Sequence, residues 1–160
     1  MLLFPYISNH YWESWALKDE GGKVLCGLYT VTAKMTFLTS GDRAGITIAW
    51  HDSTGRYIEI QPNFYWKDIE YRSNLGGTFM PSYGSSLPMS PGVPYWLRAQ
   101  VTNNTPGAGA VTVLWSTDGT HFSQVGTITG VSDLNGLAGV GTAGPNLPET
   151  AYSLFAFTAG

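Results

Sequence analysis

Apolar and polar side chains alternate with a period of two over much of the chain. Across residues 29–38, Tyr29, Val31, Ala33, Met35 and Phe37 fall on one face and Thr30, Thr32, Lys34 and Thr36 on the other, the pattern of a half-buried strand. Ile46, Ile48 and Trp50 alternate with Thr47 and Ala49. Beyond a turn carrying Asp52 and Gly55, Ile58 and Ile60 alternate with Tyr57, Glu59 and Gln61. Residues 111–122 repeat the design of strand, Asp118-Gly119 turn and strand. Polar turns that tolerate positive φ, set between β-branched or aromatic flanks, predict two hairpins. Residues 64–72 predict a further extended segment. A short edge strand is expected over 78–83, inside a stretch from 74 to 94 rich in Gly, Ser and Pro. Segments 95–101, 136–142 and 151–158 read as strands, and only 10–17 would tolerate a helical turn or two. Many short strands separated by turns predict an all-β fold, an antiparallel two-sheet sandwich.

The 160 residues make one β-sandwich domain, 1–160, long enough to bury roughly two thirds of the surface of its unfolded chain. Charged residues are only 12% and the net charge is -3, so the surface is built mostly from Ser, Thr, Asn, Gln and Gly. The 8 Lys and Arg are scattered, with no basic run to neutralise a phosphate backbone, and no nucleic acid partner is expected. No stretch approaches the roughly 20 apolar residues of a membrane-spanning helix, so no membrane partner is expected. Residues 1–7 lack the basic region and small-residue cleavage site of a signal peptide. The single cysteine, Cys26, has no partner for an internal disulfide and is expected to be a small buried apolar residue.

Six segments occur in an informative order: Tyr29-Thr30-Val31-Thr32-Ala33-Lys34-Met35, Arg43-Ala44-Gly45-Ile46, Gly55-Arg56-Tyr57-Ile58-Glu59, Tyr95-Trp96-Leu97-Arg98, Trp115-Ser116-Thr117-Asp118-Gly119 and Leu137-Ala138-Gly139-Val140-Gly141. This succession resembles the concanavalin A-like lectin/glucanase superfamily, above all the laminin-G-like jelly-roll modules appended to glycoside hydrolases and found in phage and bacterial surface proteins. The resemblance covers residues 29–157. It implies two antiparallel sheets stacked face to face, one convex and one concave, with ligand sites in some members on the concave sheet or its rim loops. Such a fold hosts lectins, hydrolases and structural modules alike, so function has to be argued from the site.

Hydrolysis with retention on this fold needs two carboxylates about 5 to 5.5 Å apart. Asp68 and Glu70, alternate residues of one extended segment, share a face. The Glu-x-Asp-x-x-Glu pattern of the superfamily hydrolases is broken at both ends, with Trp66 at its first glutamate position, and a non-catalytic chain is expected. His10, His51 and His121 lie tens of residues apart, which does not suit zinc. No Gly-x-Ser-x-Gly elbow is present, and Cys26 adjoins no histidine. Asp42, Asp52 and Asp118 are the nearest to a calcium donor set, but they are spread thin for a cation that takes about 6 to 8 oxygens. No metal and no cofactor is expected.

Binding has more support. The parity that sends Ile58 and Ile60 inward sends Tyr57, Glu59 and Gln61 outward, and with Tyr95, Leu97 and Ala99 inward, Trp96, Arg98 and Gln100 point outward. The same parity groups Trp66, Asp68 and Glu70. Tyr57, Trp66, Asp68, Glu70, Trp96, Arg98 and Gln100 are therefore the candidate ligand-binding residues. A flat aromatic covers the apolar face of a pyranose while planar polar groups bridge its hydroxyls. The same mixture suits a protein interface, and a bulge that reversed parity would turn the tryptophans into core. The segment 1–28 reads as an anchoring or edge element whose Phe4, Tyr6, Tyr11, Trp12 and Trp15 suit attachment to a protein partner. The 74–94 loop and the 144–149 turn are further contact elements. The resulting expectation is a surface, adhesion or structural module, specifically a virion-associated phage capsid decoration or tail protein. It would lie on the virion surface or outside the cell, self-associate as a homo-oligomer and dock on a shell or tail protein. The alternative is a carbohydrate-binding module that recognises a glycan, and the third reading is a divergent glycoside hydrolase.

Overall fold

The period-two segments fold as strands. The computed structural model describes residues 2–3, 14–18, 25–38, 43–51, 55–82, 86–143 and 150–159. The elements in chain order are β1 (Leu2–Leu3), β2 (Ser14–Lys18), β3 (Tyr29–Phe37), β4 (Arg43–His51), β5 (Arg56–Asn63), β6 (Asp68–Ser73), β7 (Gly76–Pro81), β8 (Pro94–Asn103), β9 (Gly109–Ser116), β10 (Ser123–Val131), β11 (Leu137–Ala143) and β12 (Thr150–Ala159). They form a seven-stranded sheet, β1-β12-β3-β8-β9-β10-β7, and a five-stranded sheet, β2-β11-β4-β5-β6. Every pairing is antiparallel, and the architecture is the expected jelly-roll sandwich.

The two inward faces supply the core. Val31, Ala33 and Met35 of β3, Leu97 and Ala99 of β8, and Val111 and Val113 of β9 face Ile46 and Ile48 of β4 and Ile58 and Ile60 of β5, all of them buried. The isoleucines sit directly opposite one another, Ile46 against Ile60 and Ile48 against Ile58, so β-branched cross-strand pairs fix the β4–β5 register. Tyrosine hydroxyls add polar ties across the interior, since a buried O–H needs an acceptor. Tyr152 of β12 donates to the carbonyls of Gly45 in β4 and Gly141 in β11, linking the two sheets. Tyr29 donates to the Leu134 carbonyl at 2.6 Å. Burial pushes both phenols well above the ordinary tyrosine range.

Four expectations are corrected. Residues 64–72 are not one extended segment, because 64–67 form a turn between β5 and β6. Residues 14–17 are strand rather than helix, paired with β11, while 10–13 lie outside the described residues. Cys26 is exposed, in the connection that leads into β3. Glu59 and Gln61, read as outward and exposed, do point away from the interior isoleucines, yet each is only 1% exposed. The outward face of β5 is thus itself covered at Glu59 and Gln61, and alternation alone carries no information about a second covering layer.

Candidate functional site

Asn63 ends β5 and builds the turn that follows. Its side-chain Oδ1 accepts the backbone N–H groups of Tyr65 at 3.0 Å and Trp66 at 3.1 Å, and its carbonyl accepts the N–H of Lys67 at 2.8 Å. This use of an asparagine amide to replace strand hydrogen bonds is the usual chemistry of such turns. Lys67 completes it in the left-handed region, φ 57°. Its ammonium donates to the Met89 carbonyl at 2.8 Å and lies 3.4 Å from the Phe64 ring centroid, and burial lowers its pKa. The Leu87 N–H donates in turn to the Lys67 carbonyl. The turn is therefore fastened both to β5 and to the segment before β8.

What this framework presents is a pair of rings. Tyr65 and Trp66 are 66% and 64% exposed, edge to face at 88° with centroids 4.8 Å apart. Polar groups adjoin them through Asn63, whose Nδ2 donates to Glu70 Oε1 at 2.6 Å. The same carboxylate oxygen lies 3.2 Å from Arg43 Nε, and the other is 3.9 Å from Arg72. Asp68 shares the outward face of β6 with Glu70. Its pKa is raised, first by desolvation and next by the Glu70 charge, against a smaller lowering from Arg43.

A carboxyl whose folded pKa is raised stabilises the fold relatively at low pH and loses that contribution as pH climbs through the raised value. Asp68→Asn is accordingly expected to be more stable than the parent at neutral pH. The difference should shrink as pH falls toward the ordinary aspartate value, about 3.9. Urea midpoints measured across that interval check the sign, and a difference that grew on acidification would contradict it.

The candidate ligand residues do not converge on one surface. Tyr57 lies on β5, half-buried, and stacks on Trp50 with centroids 5.6 Å apart. Trp66 stands on the turn rather than on the β6 face with Asp68 and Glu70. Trp96, Arg98 and Gln100 occupy the outward face of β8 in the other sheet. There the Lys34 ammonium sits 4.8 Å from the Trp96 ring centroid, Arg98 Nε donates to Thr32 Oγ1 at 3.0 Å, and its guanidinium lies 3.7 Å from the Phe122 ring centroid. Burial lowers the Arg98 pKa. A Cβ on Gly119 would come within 2.7 Å of the Trp96 ring, so Trp96 and Arg98 are occupied in clamping the β9–β10 hairpin, while Gln100 is exposed. Phe4, Tyr6, Tyr11 and Trp12 lie outside the described residues, and of Trp15 only the backbone, in β2, is described.

Asn63, Tyr65 and Arg43 were missed by sequence reading. The available signal was an asparagine directly after Pro62, obscured by the aromatic run that follows it. Asp42 and Asp52 lie outside the described residues. Asp118 accepts from His121 Nδ1 at 2.7 Å and from the N–H groups of Thr120 and His121, and the His121 hydrogen bonds chiefly hold its pKa far below the usual carboxylate range. Among the described residues, no group of three or more His, Cys, Asp or Glu side chains is placed to hold a metal ion.

Comparison with protein-family models finds no match, and comparison with curated proteins finds none. Solved structures do match. A mutant of the GH43 protein BlXynB from Bacillus licheniformis is 18% identical with a TM-score of 0.56, over 83% of this chain and 28% of that one. A GH43 glycoside hydrolase engineered to display both endo-xylanase and exo-arabinofuranosidase activity is 16% identical with a TM-score of 0.53, over 82% of this chain and 29% of that one. A functionally unknown protein from Saccharomyces cerevisiae is 16% identical with a TM-score of 0.52, over 86% and 72%. The chain thus spans less than a third of the length of these glycoside hydrolases. The antiparallel β-sandwich fold is therefore shared with part of these GH43 proteins. That finding overturns the expectation of a non-catalytic chain, since this fold occurs within hydrolases and does not by itself argue against catalysis.

Proposed function

We propose that the chain is a carbohydrate-recognising module and that the Tyr65–Trp66 turn is its sugar platform. The observation that carries this reading is the pair of exposed, perpendicular rings held by Asn63 beside the Glu70–Arg43 pair. A pyranose stacks its C–H face on an indole, and a carboxylate and guanidinium offer complementary partners to the hydroxyls at its edge. The fold shared with GH43 hydrolases supports this alternative over the virion-associated reading, and the xylanase and arabinofuranosidase activities of one of them make arabinoxylan the first probe.

Trp66→Ala is expected to lower arabinoxylan affinity at least about tenfold, about 1.4 kcal/mol. Its urea midpoint should stay put, because the ring is mostly in solvent. Affinity electrophoresis in arabinoxylan gels measures the first quantity, and retardation equal to that of the parent chain would sink the reading. Hydrolysis is the second reading, favoured by the different environments of Asp68 and Glu70, one with a raised pKa and the other flanked by two guanidinium groups. Release of reducing sugar from arabinoxylan, abolished in Asp68→Asn, would establish it.

A further inference from the structure

We infer that the outward face of the seven-stranded sheet, at Lys34, Trp96 and Arg98, binds the carboxylate of a uronic-acid unit on an acidic glycan. That the carboxylate belongs to a glycan rests on the function proposed above, while the preference for an anion rests on how charge is placed in the fold. The chain as a whole is acidic, with a net charge of -3, yet its charges are segregated. The described strands of the seven-stranded sheet contain no Asp or Glu, and their only Lys and Arg are Lys34 and Arg98. Glu59, Asp68 and Glu70 all lie on β5 and β6 of the five-stranded sheet.

Parity turns both cations to the same side. Ala33, Met35, Leu97 and Ala99 are buried, so Lys34 and Arg98 point away from the core on adjacent strands. In the β3–β8 register Lys34 lies opposite Trp96 and Thr32 opposite Arg98, which makes the two cations diagonal neighbours about 7 to 8 Å apart at their backbones. Among the described residues neither meets a carboxylate, the ion pairs there belonging to Arg43, Arg72, His51 and His121. Each is held over a ring instead, the Lys34 ammonium at Trp96 and the Arg98 guanidinium at Phe122. Thr32 takes only Nε of Arg98, which leaves the terminal N–H groups of the fork to meet a carboxylate.

An anion at this point would offset a cost already present. Burial lowers the Arg98 pKa, the mark of a guanidinium partly stripped of water, and a charge so placed gains from a partner. Asp118, on the hairpin whose Gly119 packs against Trp96, does not serve. Its carboxylate is engaged by His121 Nδ1 and by the N–H groups of Thr120 and His121. The positions that continue the face suit the rest of a sugar. Two residues along β8 from Arg98, exposed Gln100 lies opposite Thr30 of β3 and Thr112 of β9, an amide flanked by two hydroxyls. Trp96 to Gln100 spans about 13 Å, so cations and hydroxyls fall under one short stretch of glycan. Two cations are too few to neutralise a phosphate backbone, whereas they match a single carboxylate.

The test is isothermal titration of the full chain with neutral arabinoxylan, with glucuronoxylan, and with the same glucuronoxylan after its carboxyl groups are reduced to alcohols. The parent chain is expected to bind native glucuronoxylan at least about fivefold more tightly than the reduced form. That difference should disappear as ionic strength rises from about 0.01 M to about 1 M. Arg98→Gln should abolish it, and Lys34→Gln should cut it at least about twofold while arabinoxylan affinity stays unchanged. Lys34→Gln, a change on the outward face that leaves the core intact, carries the test if Arg98→Gln does not fold. Equal affinity for native and reduced glucuronoxylan overturns the inference, and if arabinoxylan then still binds the parent but not Trp66→Ala, the platform stands alone. A carboxylate-dependent response without any response to arabinoxylan keeps this face and sinks the platform. Poly-L-glutamate bound as tightly as glucuronoxylan, with the same loss in Lys34→Gln, would make the face a surface for acidic protein segments and overturn its assignment to a uronic acid. Silence toward every probe overturns both sites.

Discussion

Gly45→Ala is expected to destabilise the fold by about 3 kcal/mol or more, a large part of the total stability of an ordinary domain. Gly45 lies in the middle of the five-stranded sheet, between β5 and β11. A Cβ added there would lie 2.0 Å from the carbonyl oxygen of Ile60 and 2.8 Å from Cα of Gln61. Both obstacles are backbone of the neighbouring strand, so no side-chain rotation relieves the contact. Displacing β5 would disturb the Ile46–Ile60 and Ile48–Ile58 pairs and the Tyr152 hydrogen bond to the Gly45 carbonyl together. Gly55→Ala is the control: its Cβ meets nothing within 4 Å, but φ is +60°, so only the left-handed conformation is penalised, at about 1 kcal/mol. Urea unfolding followed by tryptophan fluorescence separates the two. Equal losses would mean that β5 yields to the methyl group, contrary to the crowding described.

The same strands show how far the sequence was legible. β3 and β8 fall within one or two residues of the alternating segments because each has one face in the core and one facing away, the condition under which a period of two is informative. β7 was recognisable as an edge from its prolines and glycines, and it pairs with β10 alone. β5 was harder. Ile58 and Ile60 were correctly inward, but Glu59 and Gln61 are as buried as they are, and Thr47 opposite Glu59 is fully buried as well. The hydroxyl of Thr47 and the amide of Gln61 meet no partner among the described residues. Polarity in a sequence reports which face a residue takes and leaves open what covers that face.

The site was legible only in part for a related reason. Aromatic residues favour strands, so Phe64, Tyr65 and Trp66 disguised a turn that one asparagine dictates through its side chain. Pairing across β5 and β6 then brought Glu70 opposite Gln61 and Asp68 opposite Asn63, and Arg43 reaches Glu70 diagonally across β5. None of these cross-strand relations has a local signature.

Asn63 is therefore where fold and site are coupled, and its replacement carries the other large effect. Asn63→Ala removes the acceptor for the Tyr65 and Trp66 N–H groups and the donor to Glu70 from a side chain that is 2% exposed. Three hydrogen bonds in a part-buried setting, one of them to a charged group, correspond to about 2 to 3 kcal/mol. Arabinoxylan retention should fall about as far as in Trp66→Ala although both rings remain, because Asn63 positions them without touching the sugar. Asn63→Asp separates the two roles. It keeps an oxygen to accept the turn N–H groups but sets a second carboxylate against Glu70 at hydrogen-bond distance, where one of the two must hold a proton. That proton is bound more tightly in the folded state, so the variant should be weakest at neutral pH and regain stability as pH falls through the raised carboxyl pKa. Recovery of both the urea midpoint and arabinoxylan retention on acidification is the expected result. Recovery of stability without retention would show that the turn re-forms but that the platform needs the Asn63 amide for more than its shape.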